Sequence, residues 1–309
     1  MENKANDKFS FYKVDDSVSE VIAAPEYSYW KSVYRKFISS KVAIFMFLLL
    51  VAVLLMSIIH PMFSKFSNLN NVNINDKSQW FLRPSAEHWF GTDDVGQDMF
   101  DMVWAGAKTS LFIAFTATFF STTIGVIVGM FWGFSKKVDA IMIQVYNVVA
   151  NIPFMLIVMV LSFALGAGVA QLIFALSCTT WIGTAYFIRV QVMIIRDREY
   201  NLASRCLGSS TTKMVFHNVL PYLVSVIVTS VSREVPSFIS YEVFLSYVGV
   251  GLSSDIASLG KIVQDNAQYM QSAAYLFIIP LIVTALISVS LYIVGQTLAD
   301  ASDPRNHMI

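Results

Sequence analysis

Glu199-Tyr-Asn-Leu-Ala-Ser-Arg-Cys-Leu-Gly208, followed by Asn218-Val-Leu-Pro221, is the stretch on which the reading of this chain turns. It is polar and rich in small residues, and it lies between two long apolar runs. A polar segment so placed must face water, yet it carries the pattern of a short helix with a packing face. Leu202, Ala203, Cys206 and Leu207 gather on one side at helical spacing. Ala203, Ser204 and Gly208 are small enough to let another surface come close. Pro221 suits the first turn of a new helix, where its missing N–H is not needed.

Working outward, the 309 residues are 56% hydrophobic and only 14% charged, too apolar for a soluble globular protein of this length. A bilayer core about 30 Å thick needs about 20 apolar residues per helix. Six runs meet or approach that: about 42–61, 109–133, 145–165, 169–190, 219–241 and 274–298. Polar residues interrupt the third and the fifth. The expected fold is all-α, a polytopic membrane protein with six transmembrane helices. Its expected segments are a tail and interfacial helix (1–41), a first span (42–61), an outside segment (62–108), a core (109–298) holding a loop at about 191–218, and a terminal tail (299–309).

Formal net charge is zero, so the distribution of charge carries the information. With the amino terminus inside, the inside segments hold fifteen Lys and Arg, among them Lys31, Arg35, Lys36, Lys136, Lys137, Arg196, Arg198, Arg205 and Arg305. The outside segments hold Lys65, Lys77, Arg83, Lys108 and Lys261. A basic excess marks the cytoplasmic side. Both termini and the 199–218 loop are therefore expected in the cytoplasm. The first apolar run begins too far from Met1 for a secretory signal and reads as a retained span. Cys178 and Cys206 fall at different expected depths, without metal-ligand spacing, so neither a disulfide nor a metal site is expected.

Residues 1–27 are polar and mixed in charge. In 28–41, Trp30, Val33, Tyr34, Phe37 and Ile38 recur at helical spacing, with Lys31, Arg35 and Lys36 between them. This is an amphipathic helix, lying either in the headgroup region or against a partner. The 62–108 segment opens on an Asn-rich stretch (Asn68 to Asn75) and continues as His88-Trp-Phe-Gly-Thr-Asp-Asp-Val-Gly-Gln-Asp98. Asp93 and Asp94 read as turn and helix-start residues rather than as metal ligands.

Enzymatic machinery is missing from the pattern. Gly260-Lys261 lacks the rest of a phosphate-binding loop, and the four histidines are scattered. Polar residues inside apolar runs are then the functional candidates. Arg233 and Glu234 lie about 21 Å along the fifth span at 1.5 Å per residue. They point in different directions, and either line a wet pathway or serve as internal struts. Asn147 and Asn151 share a helix face beside Pro153, and either line a conduit or join helices. Glu242 either shapes an outer gate or accepts structural hydrogen bonds.

The 199–221 stretch resembles the EAA motif of ABC-transporter permeases, E-x-x-x-A-A-x-x-x-G followed after about ten residues by I-L-P. Glu199, Ala203, Gly208, Leu220 and Pro221 match; Ser204 replaces the second alanine and Val219 the isoleucine. The His88–Asp98 run with Gly106-Ala-Lys-Thr-Ser-Leu111, Leu245-Ser-Tyr-Val-Gly-Val-Gly-Leu252 and Leu298-Ala-Asp-Ala-Ser-Asp-Pro-Arg305 all resemble peptide-transporter permeases of the oligopeptide permease C class. Gln97 and Lys108 stand where that class usually has arginines.

The resemblance implies a permease subunit whose cytoplasmic coupling helix docks a separate ATPase through Glu199, Ala203, Ser204, Leu207, Gly208, Leu220 and Pro221. It implies a homologous second permease, two ATPase subunits, an extracellular peptide-binding lipoprotein and a peptide substrate. ATP and Mg belong to the ATPases, with no cofactor on this chain, and nucleic acid is not an expected partner. Nickel or another small solute is the alternative cargo, and an ion-gradient-driven secondary transporter the alternative class.

Overall fold

The computed structural model describes residues 29–64, 76–253 and 255–302. The polar tail at 1–27, the whole Asn-rich stretch (Asn68 to Asn75) and residues 303–309, with Arg305, lie outside the described residues.

The amphipathic segment is helix α1 (Tyr29–Ser39), with Val33 buried and Trp30, Tyr34 and Ile38 exposed. Its Tyr29 hydroxyl donates to the carbonyl of Ser302 at 2.8 Å, at the far end of the chain. Ser40 separates it from α2 (Lys41–Phe63) and caps α2 through the Ala43 N–H. Only Ala43, Leu50 and Ser57 of α2 are buried. They recur every seventh residue, a single narrow stripe, so α2 leans on the bundle and leaves most of its apolar surface outward.

The second span begins ten residues earlier than the apolar run suggested. Asp98 accepts the Phe100 N–H at 2.7 Å and starts α3 (Met99–Phe134). At 1.5 Å per residue its 36 residues reach about 54 Å, well beyond the hydrocarbon. The third run is not one helix. It divides into α4 (Lys136–Ala150) and α5 (Phe154–Leu165), bent by 82°. Pro153 explains the break: its ring disfavours helical geometry at Ile152, and it brings no N–H to continue the ladder.

Next come α6 (Val169–Arg196), the short α7 (Glu199–Cys206) and a rod of Thr211–Tyr247. The rod comprises α8 (Thr211–Met214), a π-turn at Val215–Val219 and α9 (Leu220–Tyr247). It thus starts before the expected 219. The chain closes with α10 (Leu259–Asn266) and α11 (Tyr275–Ser302). Among the described residues, five helices are long and apolar enough to cross a bilayer, six if the bent α4–α5 pair counts as one span. The fold is all-α and the chain a multi-pass membrane protein.

The centre of the bundle is the contact of α3 with α6. Gly125, Gly129 and Gly133 present one bare stripe of α3 at four-residue spacing. A Cβ at Gly125 would stand 2.7 Å from the Thr184 Cβ, at Gly129 2.5 Å from the Ala185 carbonyl oxygen, and at Gly133 2.7 Å from the Arg189 carbonyl oxygen. Small residues at such spacing let two membrane helices touch backbone to backbone, where dispersion contacts add up. One apolar core gathers Met99, Leu111, Leu176, Phe238 and Leu245; a second, nearer α7, joins Met130, Ile188, Val215 and Leu223.

Gly129→Leu should therefore force α3 from α6, at a cost of about 1–3 kcal/mol or more. Gly183→Ala, whose Cβ would meet nothing within 4 Å, is the matched control. Thermal melting of the detergent-purified protein should show a lowered midpoint for the first and an unchanged one for the second. Equal midpoints would remove the α3–α6 contact from its central place.

Candidate functional site

The α7 helix carries its polarity inside out. Asn201 is 0% exposed; its Nδ2 donates to the Ile195 carbonyl at 3.0 Å, and its Oδ1 accepts from Asn218 Nδ2 at 3.0 Å. Asn218 also donates to Ser204 Oγ at 3.1 Å. A polar clip thus holds α7 against the π-turn within the next rod. The opposite face, Leu202, Ala203, Cys206 and Leu207, is exposed, Leu207 at 87%. Glu199 and Pro221 are also exposed, while Leu220 packs against the second core.

Two predicted residues stand differently from the sequence picture. Ser204 turns inward to the clip rather than outward with Ala203. Gly208 has φ +80°, and a Cβ there would meet nothing within 4 Å. Its smallness matters within this chain because the helix ends in the left-handed region, where glycine carries no steric penalty. The turn is closed by Ser209 N–H to Ser204 carbonyl and Gly208 N–H to Arg205 carbonyl, each 3.0 Å.

The clip continues into the bundle. Arg196, buried at the end of α6, donates to the Gly133 carbonyl of α3 at 2.9 Å and pairs with Asp197. Two turns earlier on α6, Arg189 pairs with Asp139 of α4, which also accepts from the Trp132 indole N–H at 2.8 Å. Arg189 lies over the rings of Trp132 and Tyr186, and Tyr186 stacks on Tyr146 at 4.1 Å. This box fastens the otherwise exposed α4 to α3 and α6.

The polar residues of the fifth span separate. Glu234 turns inward and accepts from the hydroxyls of Thr122 on α3 and Thr184 on α6. Arg233 is exposed, and among the described residues it makes no ion pair. The two line one hollow of about 130 Å³ with Thr180, Ser237, Phe238 and Tyr241. Thr180 also borders a hollow of about 490 Å³ at the α4–α5 break, where Asn151 and Pro153 stand. Asn147 is not in that lining; it receives the Asn151 side-chain N–H on its own carbonyl at 2.5 Å.

Glu242 is apart from these, 0% exposed between α3, α9 and α10. It accepts from Ser110 Oγ at 2.8 Å and from Ser246 Oγ at 3.0 Å, while Ser110 accepts the Leu259 N–H at 3.1 Å. The carboxylate thereby pins three elements.

At the end of the bundle opposite α7, residues 79–98 form a knot. Thr92 Oγ1 donates to the Gln79 carbonyl at 2.6 Å and accepts the Leu82 N–H, and Thr92 pairs with Asp98 across a single bridge. Asp93 shapes the turn, its Oδ1 accepting the N–H groups of Val95 at 3.0 Å and Gln97 at 2.7 Å. Asp94 instead accepts the Tyr269 hydroxyl at 2.8 Å, and Asp98, not Asp93 or Asp94, starts the helix. His88 bonds Asp98 at 2.8 Å. Among the described residues no three metal-ligating side chains converge.

Residues 121–307 match the family model for the inner membrane component of binding-protein-dependent transport systems. Residues 28–84 match that for the N-terminal transmembrane domain of oligopeptide transport permease C. This chain belongs to that permease family. It is 54% identical to the oligopeptide transport system permease protein AmiD of Streptococcus pneumoniae, over 97% of this chain and 98% of that one. It is 33% identical to the oligopeptide permease protein OppC of Bacillus subtilis over 99% of both chains. The dipeptide permease protein DppC of the same organism is 32% identical over 93% of this chain and 89% of its own length. An inward-facing structure of the MetNI methionine ABC transporter shares the fold, with a TM-score of 0.50 at 20% identity, over 66% of this chain and 98% of that one. The chain is an ABC-importer permease subunit, not an enzyme.

Within this permease the EAA-like residues were legible in the sequence, but the Asn201–Asn218 clip was not. The available signal was two asparagines on the buried side of an amphipathic pattern, where an apolar residue would ordinarily stand.

The knot gives a pH-dependent expectation. Burial pushes the Asp93 carboxyl from 3.8 up to about 6, with Asp94 adding to the rise and the Gln97 and Val95 N–H groups opposing it. The folded state therefore holds a proton that the unfolded chain releases. The stabilising contribution is full below pH about 4 and is lost as pH rises through about 6. Asp93→Asn, which keeps the accepting Oδ1, should flatten the change in melting midpoint between pH 4 and 7. An unaltered profile would assign the dependence to another group.

Proposed function

We propose that this subunit forms half of the pathway of an ATP-driven importer for oligopeptides or dipeptides. A homologous second permease completes the pathway, two ATPases carrying ATP and Mg dock beneath, and an extracellular lipoprotein delivers the peptide. The observation that carries the reading is likeness along nearly the whole chain to oligopeptide permeases, 54% for AmiD. The outward apolar face of α7 supports it, because such a face in water requires a partner surface. Leu202, Ala203 and Leu207 meet the ATPase in this scheme; Gly208 and Ser204 hold their turn and clip.

The mechanism follows from the links. Nucleotide-driven closure of the ATPases displaces α7. The clip moves the π-turn and α9 with it, and Arg196 transmits to α3. Glu234 bridges α3, α6 and α9, so the same displacement reaches the hollow at Arg233. The bundle has to be bistable for this to switch sides.

A strain lacking this subunit should fail to take up labelled tripeptides and tetrapeptides, and the restored chain should recover uptake. Nickel uptake that followed the subunit while peptide uptake did not would instead select the small-solute reading. Uptake that survived ATP depletion but not loss of the ion gradient would select a secondary transporter.

The basic bias supports an orientation with α7 in the cytoplasm and the 79–98 knot outside. In a Cys178→Ser, Cys206→Ser background, Lys77→Cys should react with an impermeant thiol reagent on intact cells and Leu207→Cys should not. The reverse pattern would invert the orientation.

A further inference from the structure

Arg233 and Glu234 are neighbours in sequence but not equivalents in the fold. Each carboxylate oxygen of Glu234 accepts a hydroxyl, Oε2 from Thr122 and Oε1 from Thr184, one from each helix of the central contact. Its donors are neutral and come from within the bundle. Arg233, one helical step round, has its backbone carbonyl accepting from Ser237 Oγ at 2.8 Å, while among the described residues its guanidinium has no carboxylate. It stands between two hollows, the one of about 130 Å³ beside Tyr241 and another of about 520 Å³ lined with Ser240, Ser288 and Tyr292.

Charge in hydrocarbon is expensive and needs water, a partner or a ligand. The chain meets that demand for Glu234 and leaves it open for Arg233. A guanidinium is a permanent cation with a planar fork of donors that fits a carboxylate edge-on. An ammonium group arriving at the same hollow finds the Glu234 oxygens already holding hydroxyls. Resting on the peptide-permease reading above, we propose that Arg233 is a specificity-determining residue that reads the carboxylate of the passing substrate. Glu234 is a positioning residue that keeps the local charge balanced without competing for the ligand. The balance also matters for turnover, since an uncompensated cation would hold its anion too long for release.

The hydroxyl-lined surroundings agree with transient binding. Thr180, Ser237, Ser240 and Ser288 border the hollows. Thr180, Ser237 and Ser240 donate to the Leu176, Arg233 and Pro236 carbonyls, so their hydroxyl oxygens are the acceptors that a peptide backbone meets in passing.

The test uses the complete transporter in proteoliposomes, with one binding protein throughout, so that its own preference cancels between variants. Uptake of a tetrapeptide with a free carboxylate is compared with uptake of the same peptide as its C-terminal amide. Wild type should favour the free acid. In Arg233→Gln the acid-to-amide ratio should fall by about tenfold, the scale of one charge-assisted hydrogen-bonded pair. Arg233→Lys should keep most of the ratio, and Glu234→Gln, by leaving the cation uncompensated, should slow uptake of the free acid but not of the amide. N-terminal acetylation should shift uptake equally in all four.

An unchanged ratio in Arg233→Gln would overturn the proposal. So would loss of the second permease from purified Arg233→Gln complexes with retention in Arg233→Lys, because the cation would then be spent on the subunit interface. A wild-type complex that moved neither peptide form would instead sink the peptide reading itself.

Discussion

The approach of α3 to α6 over Gly125, Gly129 and Gly133 sets the positions of the other parts. Because three side chains are missing from that stripe, the two backbones touch, with Cβ clearances near 2.5–2.7 Å had there been any. Thr122 and Thr184 are thereby brought close enough to grip one carboxylate on a third helix. The same approach brings the Gly133 carbonyl within reach of Arg196. A bundle spaced by leucines would separate these partners and leave Glu234 bare in an apolar medium, where an unpaired charge cannot be accommodated.

Around that contact the chain distributes polarity by function rather than by depth. Inside the spans, polar groups hold helices to one another: Glu242 with Ser110 and Ser246, Ser177 with the Ala117 carbonyl, Thr180 with Ser121. At α7 the arrangement reverses, with asparagines facing the protein and leucines facing water. Both patterns come from the same rule. Groups that must be held in one geometry are hydrogen-bonded, and groups that must be available to another surface are apolar and small.

The sequence showed the apolar runs, the α1 amphipathic pattern and the 199–221 motif because each is a local pattern with a fixed period. Their ends were less legible. The start of α3 at Met99 depends on the Asp98 cap, which lies in a stretch of mixed polarity. The extension of α9 back to Thr211 depends on Ser210 accepting the Lys213 N–H and on the clip at Asn218. Pro153 announced a kink, but an 82° turn needed the neighbouring α4 to be held down by Arg189 and Asp139. The different surroundings of Arg233 and Glu234 were out of reach, because the threonines that hold Glu234 lie 112 and 50 residues away in the chain.

The break between α4 and α5 is bridged partly from within the chain: the Val149 carbonyl accepts the Ile152 N–H at 3.1 Å and the Pro153 carbonyl the Leu156 N–H at 2.9 Å. Asn151, Ile152 and Pro153 are exposed, and the helical ladder is interrupted there within an apolar run. Irregular backbone at membrane depth is tolerable only where protein or a water-filled cavity covers it. Here the chain's own hollow of about 490 Å³ lies beside the break, with Thr179 and Thr180 of α6 in its lining. The turn that ends one helix thus builds the wall of a cavity, so Pro153 shapes an interior space as much as it stops a ladder.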